Sequence, residues 1–187
     1  MTITIALFEL RQRLRRVSTY LYFLVLLAFA FLFMLIGGGA IPGVSLDFGT
    51  GGKVFVNSPY SLSMLISLLN VFGMIIIAAL AGQATYQDID NNCTAFFYTL
   101  PITKRQYLTG RFLGSVAVQC FIFAGVAVGA WLGSHMPFLD ATRRGPDRLI
   151  AYLMPYITVV LPNLIFVTAI FFCLAALGKK MLPVYAG

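Results

Sequence analysis

The chain has 187 residues, 60% of them hydrophobic and only 10% charged, with a net charge of +7. A soluble domain carries about 25% charged residues because its surface faces water, so this composition excludes a soluble globular protein and fits a lipid-facing one. The basic excess is not a nucleic-acid surface either, because it sits in short clusters beside apolar runs rather than on one face of a soluble fold.

Residues 2–16 come first. Ile3, Leu7, Leu10, Leu14 and Val17 recur at helical spacing and predict one apolar stripe. Arg11, Arg13, Arg15 and Arg16 occupy the other faces, which predicts an interfacial helix with its arginines toward anionic headgroups. A simpler reading of the same residues is a charged flank that orients the next segment. Residues 20–36 are an uninterrupted apolar run, and about 20 such residues cross a hydrocarbon core about 30 Å thick. A cleaved secretory signal has an apolar region of about 7–15 residues, so this run reads as a retained anchor.

Residues 37–60 form a glycine-rich loop. Its Gly49-Thr50-Gly51-Gly52-Lys53 glances at a phosphate-binding loop, but Asp47 replaces the leading glycine and Val54 the magnesium-binding hydroxyl. Ser58-Pro59 reads as a cap and first-turn proline for a second membrane helix through residues 64–84. Asn70 inside it is expected to hydrogen-bond a neighbouring helix. Residues 86–106 form a polar loop, in which residues 92–100 can make a short helix stopped before Pro101. Thr103 and Gln106 then match a capping box that opens a third long helix over residues 107–131. Gly110, Gly114, Gly125, Gly129 and Gly133 fall at four-residue spacing on nearly one face, a pattern that lets membrane helices approach closely. That face can serve packing within the chain or a dimer. Residues 133–148 make a second loop, and residues 151–177 a fourth apolar run in which Pro155 and Pro162 predict a kink. Lys179-Lys180 close it, and residues 182–187 turn apolar again. The expectation is a fifth helix that begins here and continues in a longer chain.

Alternate flanks differ in charge. The first, third and fifth carry Arg11, Arg13, Arg15, Arg16, Lys104, Arg105, Arg111, Lys179 and Lys180; the second and fourth carry Lys53, Arg143, Arg144 and Arg148. Nine basic residues against four predict a cytoplasmic N-terminus.

Reactive constellations do not assemble. Asp88, Asp90 and Asn92 take the first, third and fifth places of a calcium loop, yet Cys93 and Thr99 stand where glycine and glutamate are required. His135 is the chain's one histidine, with no second metal ligand evident near it. Cys93, Cys120 and Cys173 show neither metal spacing nor a disulfide pattern, and no serine is framed as a nucleophile elbow. The sequence predicts no catalytic residue, no metal site and no cofactor in this chain.

The stretch from Gly82 to Gly114, with Tyr86-Gln87-Asp88 and then Phe96-Phe97-Tyr98-Thr99-Leu100-Pro101-Ile102-Thr103-Lys104-Arg105, resembles the loop between helices two and three of type-2 ABC transporter permeases. Phe8-Glu9-Leu10-Arg11 resembles the family's interfacial connecting helix. The resemblance implies an all-α polytopic membrane bundle with an N-terminal interfacial helix, four transmembrane helices and the start of a fifth, forming a single permease domain over residues 1–187. It implies the membrane half of a dimeric exporter in a bacterial inner membrane, driven by a separate ATP-binding cassette subunit that holds the ATP and magnesium. It further implies that Asp88, Asp90, Phe96, Phe97, Tyr98, Pro101, Thr103, Lys104 and Arg105 couple to that subunit. The alternatives are a membrane scaffold that transports nothing, and a membrane-embedded enzyme.

Overall fold

The computed structural model describes residues 1–40, 54–90, 103–137, 139 and 141–178. Its helices in chain order are α1 (Thr2–Leu14), α2 (Val17–Gly37), α3 (Pro59–Asp90), α4 (Lys104–Ser134), α5 (Leu149–Pro155) and α6 (Leu161–Gly178). A 3-10 turn at Ala141–Arg143 precedes α5, and a π-helical turn at Tyr156–Val160 joins α5 to α6. No strand occurs among the described residues. Among the described residues, four helical segments are long and apolar enough to cross a bilayer: Val17–Gly37, Pro59–Ala81, Lys104–Ser134 and Leu149–Ala175. The fold is an all-α, polytopic membrane helix bundle.

Local chemistry explains where these helices start and stop. The Ser58 hydroxyl accepts the Ser61 N–H at 3.2 Å, capping α3, with Pro59 in the first turn where its missing N–H leaves no bond unmade. Gly39 ends α2 at φ 77°, where a side chain would be strained. The Ala40 N–H then reaches the Leu35 carbonyl at 3.0 Å and the Gly39 N–H reaches Ile36 at 3.1 Å, the paired bonds of a Schellman cap. The irregularity expected from the prolines is a π-helical turn between Pro155 and Pro162. Pro162 has no N–H to give to a carbonyl one turn back, so the ladder opens by one residue and the Leu161 N–H bonds to Tyr156.

α3 is longer than the sequence suggested. At 32 residues it extends about 48 Å, against about 30 Å of hydrocarbon. It runs through Asp88 to Asp90, so the first residues of the stretch expected as a loop over 86–106 are helical, because no proline or glycine follows Gly82 to break the helix there. Residues 91–102 lie outside the described residues, as do 41–53 and 179–187 with the expected fifth helix.

The chain divides into two compact units. One contains Met1–Tyr20, Met74–Cys120 and Asn163–Gly187, and hence α1, the later half of α3, the earlier half of α4 and nearly all of α6. Its core includes Ile77, Ala81, Val118 and Leu164. Phe112 meets Phe172 edge to face at 5.7 Å. The Thr168 hydroxyl bonds Gln119 at 2.5 Å, linking α6 to α4 through a fully buried polar contact of the kind that joins membrane helices.

The other unit contains Leu21–Gly73 and Phe121–Pro162. Leu26, Ala30, Met34, Leu62, Leu65, Ile66, Ile122, Phe123 and Val126 form its core. Phe23 stacks on Phe121 at 5.2 Å. Phe123 fits against Gly73, where a Cβ would collide with the ring. Asn70 departs from expectation: it is buried, but its Oδ1 has no hydrogen-bond partner among the described residues.

Candidate functional site

The amphipathic pattern of α1 is inverted with respect to the protein. Ile3, Leu7, Phe8 and Val17 are exposed, whereas Glu9 and Arg13 are buried at 2% and 4% exposure. A helix that turns its apolar stripe outward and its ion pair inward suits a lipid surround and not water. Arg11 and Arg15 are exposed and Arg16 is half-buried, so they remain on accessible faces of the helix. Arg13 does not, and its expected place among the headgroup-facing arginines is corrected here. It lies one turn after Glu9 on the same buried face, and that carboxylate compensates its charge in the interior.

The resulting node joins three helices. Arg13 Nε donates to Glu9 Oε1 at 2.6 Å, and Arg13 Nη1 donates to the Leu80 carbonyl of α3 at 3.0 Å. Arg111 Nη1 of α4 donates to Glu9 Oε2. One buried carboxylate thus serves two guanidinium groups, through charge-assisted bonds about twice as strong as neutral ones. Burial is the largest influence on Arg13 and lowers its pKa below the ordinary arginine range; Arg111 and Arg16 act in the same direction, while the charge and hydrogen bond of Glu9 oppose them. Arg13 Nη2 is buried without a hydrogen-bond partner among the described residues. Arg111 also donates from Nε to the Tyr107 hydroxyl at 3.3 Å and lies 5.7 Å from that ring's centre.

The glycines of α4 make room for this arrangement. A Cβ at Gly110 would lie 2.8 Å from Ile5 Cβ, and one at Gly114 would lie 2.7 Å from Glu9 Cβ. Gly125 faces α2 instead, where a Cβ would stand 2.7 Å from the Phe23 carbonyl, and Gly129 is tighter still against Leu27. Gly133 abuts Met34 at 2.7 Å. One glycine face is therefore shared between α1 and α2, both within the chain.

At the start of α4 the Thr103 hydroxyl accepts the Gln106 N–H at 3.3 Å, and the Gln106 side-chain oxygen accepts the Thr103 N–H at 3.3 Å. This reciprocal box fixes the first turn, with Thr103, Lys104 and Arg105 exposed. Phe96, Phe97, Tyr98 and Pro101 lie outside the described residues, and Asp88 and Asp90 are described only as the backbone end of α3. No group of three or more metal-ligating side chains occurs among the described residues.

Sequence reasoning missed the Glu9–Arg13–Arg111 node. The i, i+4 placement of Glu9 and Arg13 was a legible sign, whereas nothing local connects either to Arg111.

Four apolar spans and an ion-paired helix buried on its charged side define a multi-pass membrane protein. The sequence profile of a family described as "ABC-2 family transporter protein" matches residues 53–180, and this chain belongs to that family. It is a membrane permease of an ABC transporter. No curated protein and no solved structure matches the chain.

Proposed function

We propose that this permease is an exporter subunit with a cytoplasmic N-terminus in a bacterial inner membrane, driven by a separate ATP-binding cassette subunit and working as a dimer. The observation that carries the reading is the family membership over residues 53–180, which spans the segment between α3 and α4. In that segment Phe96, Phe97, Tyr98 and Leu100 form an apolar cluster in a polar stretch, which suits a partner surface. Thr103 and Gln106 fix the first turn of α4 immediately after it, so a push on the segment is delivered to α4 rather than lost in fraying. The bond from Arg111 to Glu9 carries the same displacement to α1. ATP-driven closure of the cassette subunits would in this way switch the permease between inward- and outward-open states. The chain itself contributes positioning and a path, while ATP and magnesium stay on the partner.

Phe96→Ala and Phe97→Ala test the reading. Aromatic anchors at interfaces typically contribute about 2 kcal/mol or more, so copurification of the cassette subunit should fall more than tenfold while insertion and expression persist. Retention of that subunit, with ATP turnover still responsive to the permease, would remove these residues from the coupling contact.

A further inference from the structure

We propose that His135 and Asp147 form a proton-binding site, in which a doubly protonated imidazole ties the end of α4 to the segment that precedes α5. His135 directly follows the last residue of α4, and its ring lies 4.7 Å from that of Trp131, one turn back. Its Nδ1 is 2.8 Å from the Trp131 carbonyl, and its Nε2 is 2.5 Å from Asp147 Oδ2. Both neighbours can only accept. A bare Nδ1 would set its lone pair against a carbonyl lone pair, and a bare Nε2 would set its own against a carboxylate. Each ring nitrogen therefore needs a proton, and the group is an imidazolium. A cation in this place is also favoured by the partial negative charge at the C-terminal end of a helix.

The surrounding groups agree. Ser134 Oγ lies 2.8 Å from the Trp131 carbonyl, to which it donates, and 3.1 Å from Nδ1, to which it offers a lone pair. Tyr152 of α5 places its hydroxyl 2.7 Å from Ser134 Oγ and 3.4 Å from Asp147 Oδ1. Arg144 donates to Asp147 Oδ2 at 2.6 Å, so two cations converge on one carboxylate. For Asp147, burial alone would raise the pKa, but the hydrogen bond from Arg144 and the charges of His135 and Arg144 outweigh it and hold the carboxyl below the ordinary 3.8. The carboxylate therefore stays ionised to lower pH than an ordinary aspartate. Asn57, ahead of α3, braces the same segment by exchanging two bonds with Gly145, at 2.9 and 2.8 Å. Loss of the proton removes one of the two bonds that hold the imidazole and leaves Arg144 as the remaining cation on Asp147. The sign follows: while Asp147 is ionised, the tie is complete on the acid side and lost as pH rises. On the orientation proposed above, the site faces the outside.

His135 is the chain's one histidine, so labelling with 15N-histidine gives the ring nitrogens of one residue in the full chain reconstituted in lipid nanodiscs. At pH 6 both ring nitrogens should carry the protonated shift. Asp147→Asn should release the proton at a pH at least one unit lower than wild type, a tenfold loss of proton affinity. Arg144→Gln, which removes the competing cation, should hold the proton to higher pH. Amide-exchange protection over residues 141–148, corrected for intrinsic exchange, should fall several-fold as the wild-type imidazole deprotonates, and be low at every pH in Asp147→Asn. A ring with one bare nitrogen at pH 6, titrations unmoved by both variants, or protection indifferent to the charge on His135 would each overturn the proposal.

Discussion

Arg111, in the second turn of α4, donates to Glu9 of α1 across 102 residues of sequence, and the same carboxylate holds Arg13 from its other oxygen. The N-terminal helix is thereby fixed to the helix that the capping box opens. Breaking a buried pair by removing one partner typically costs about 3–5 kcal/mol, whereas replacing all members with apolar groups is often neutral. Glu9→Ala should therefore lower the thermal stability of the detergent-solubilised protein severely, because two arginines are left without their anion. The triple variant Glu9→Leu, Arg13→Met, Arg111→Met should recover most of the loss. Size-exclusion thermostability of the two proteins is the check, and a triple variant as unstable as Glu9→Ala would show that the ion pairs themselves stabilise the fold.

Gly129 stands directly against the backbone of Leu27, where a Cβ would collide with the carbonyl. An isoleucine there or at Gly125 has nowhere to go, and overpacking of this kind costs about 1–3 kcal/mol. Gly125→Ile and Gly129→Ile should lower stability or yield, while Val128→Ile, at an exposed position of the same helix, should not. Equal tolerance at all three positions, measured by the same thermostability assay, would contradict the packing described.

Thr103→Ala removes one side of the capping box and should destabilise the first turn of α4 by about 1 kcal/mol. The readout is amide exchange at residues 103–107, which should quicken about fivefold. Thr103→Ser, which retains the hydroxyl, should behave as wild type.

Asp147 predicts an acid limb. Its pKa is lowered in the folded protein, so its contribution is present above the ordinary 3.8 and is lost as pH falls through the depressed value. Stability measured from pH 6 to pH 3 should decline more steeply in wild type than in Asp147→Asn. The side chain is one-third exposed, so the difference will be modest.

The N-cytoplasmic topology can be read by thiol labelling in a cysteine-free background. Single cysteines at Thr50 and Ala141 should react with an impermeant reagent in intact cells, and one at Asn91 should not. The reverse pattern would invert the orientation drawn from nine basic residues against four.

Much of this architecture was legible in the residues alone. Long apolar runs can only be helices in a lipid interior, since every backbone group must find its partner within the segment. The cap at Ser58, the box at Thr103 and Gln106, and the π-helical turn between Pro155 and Pro162 follow from local chemistry acting over three to five residues. The glycines of α4 were likewise visible as one face.

Which helix meets that face was not visible, because periodicity orders side chains around one axis and says nothing of what stands opposite. Only the tertiary structure decided that Gly110 and Gly114 receive α1 while Gly125, Gly129 and Gly133 receive α2. It likewise turned Arg13 inward: an arginine on an amphipathic helix faces headgroups unless a carboxylate and a carbonyl within reach await it inside, and here Glu9 and Leu80 supply both. The pairing of His135 with Asp147 has the same origin. A lone histidine at a helix end carries no sequence sign of its charge state, which is set by the acceptors that folding brings to its two nitrogens.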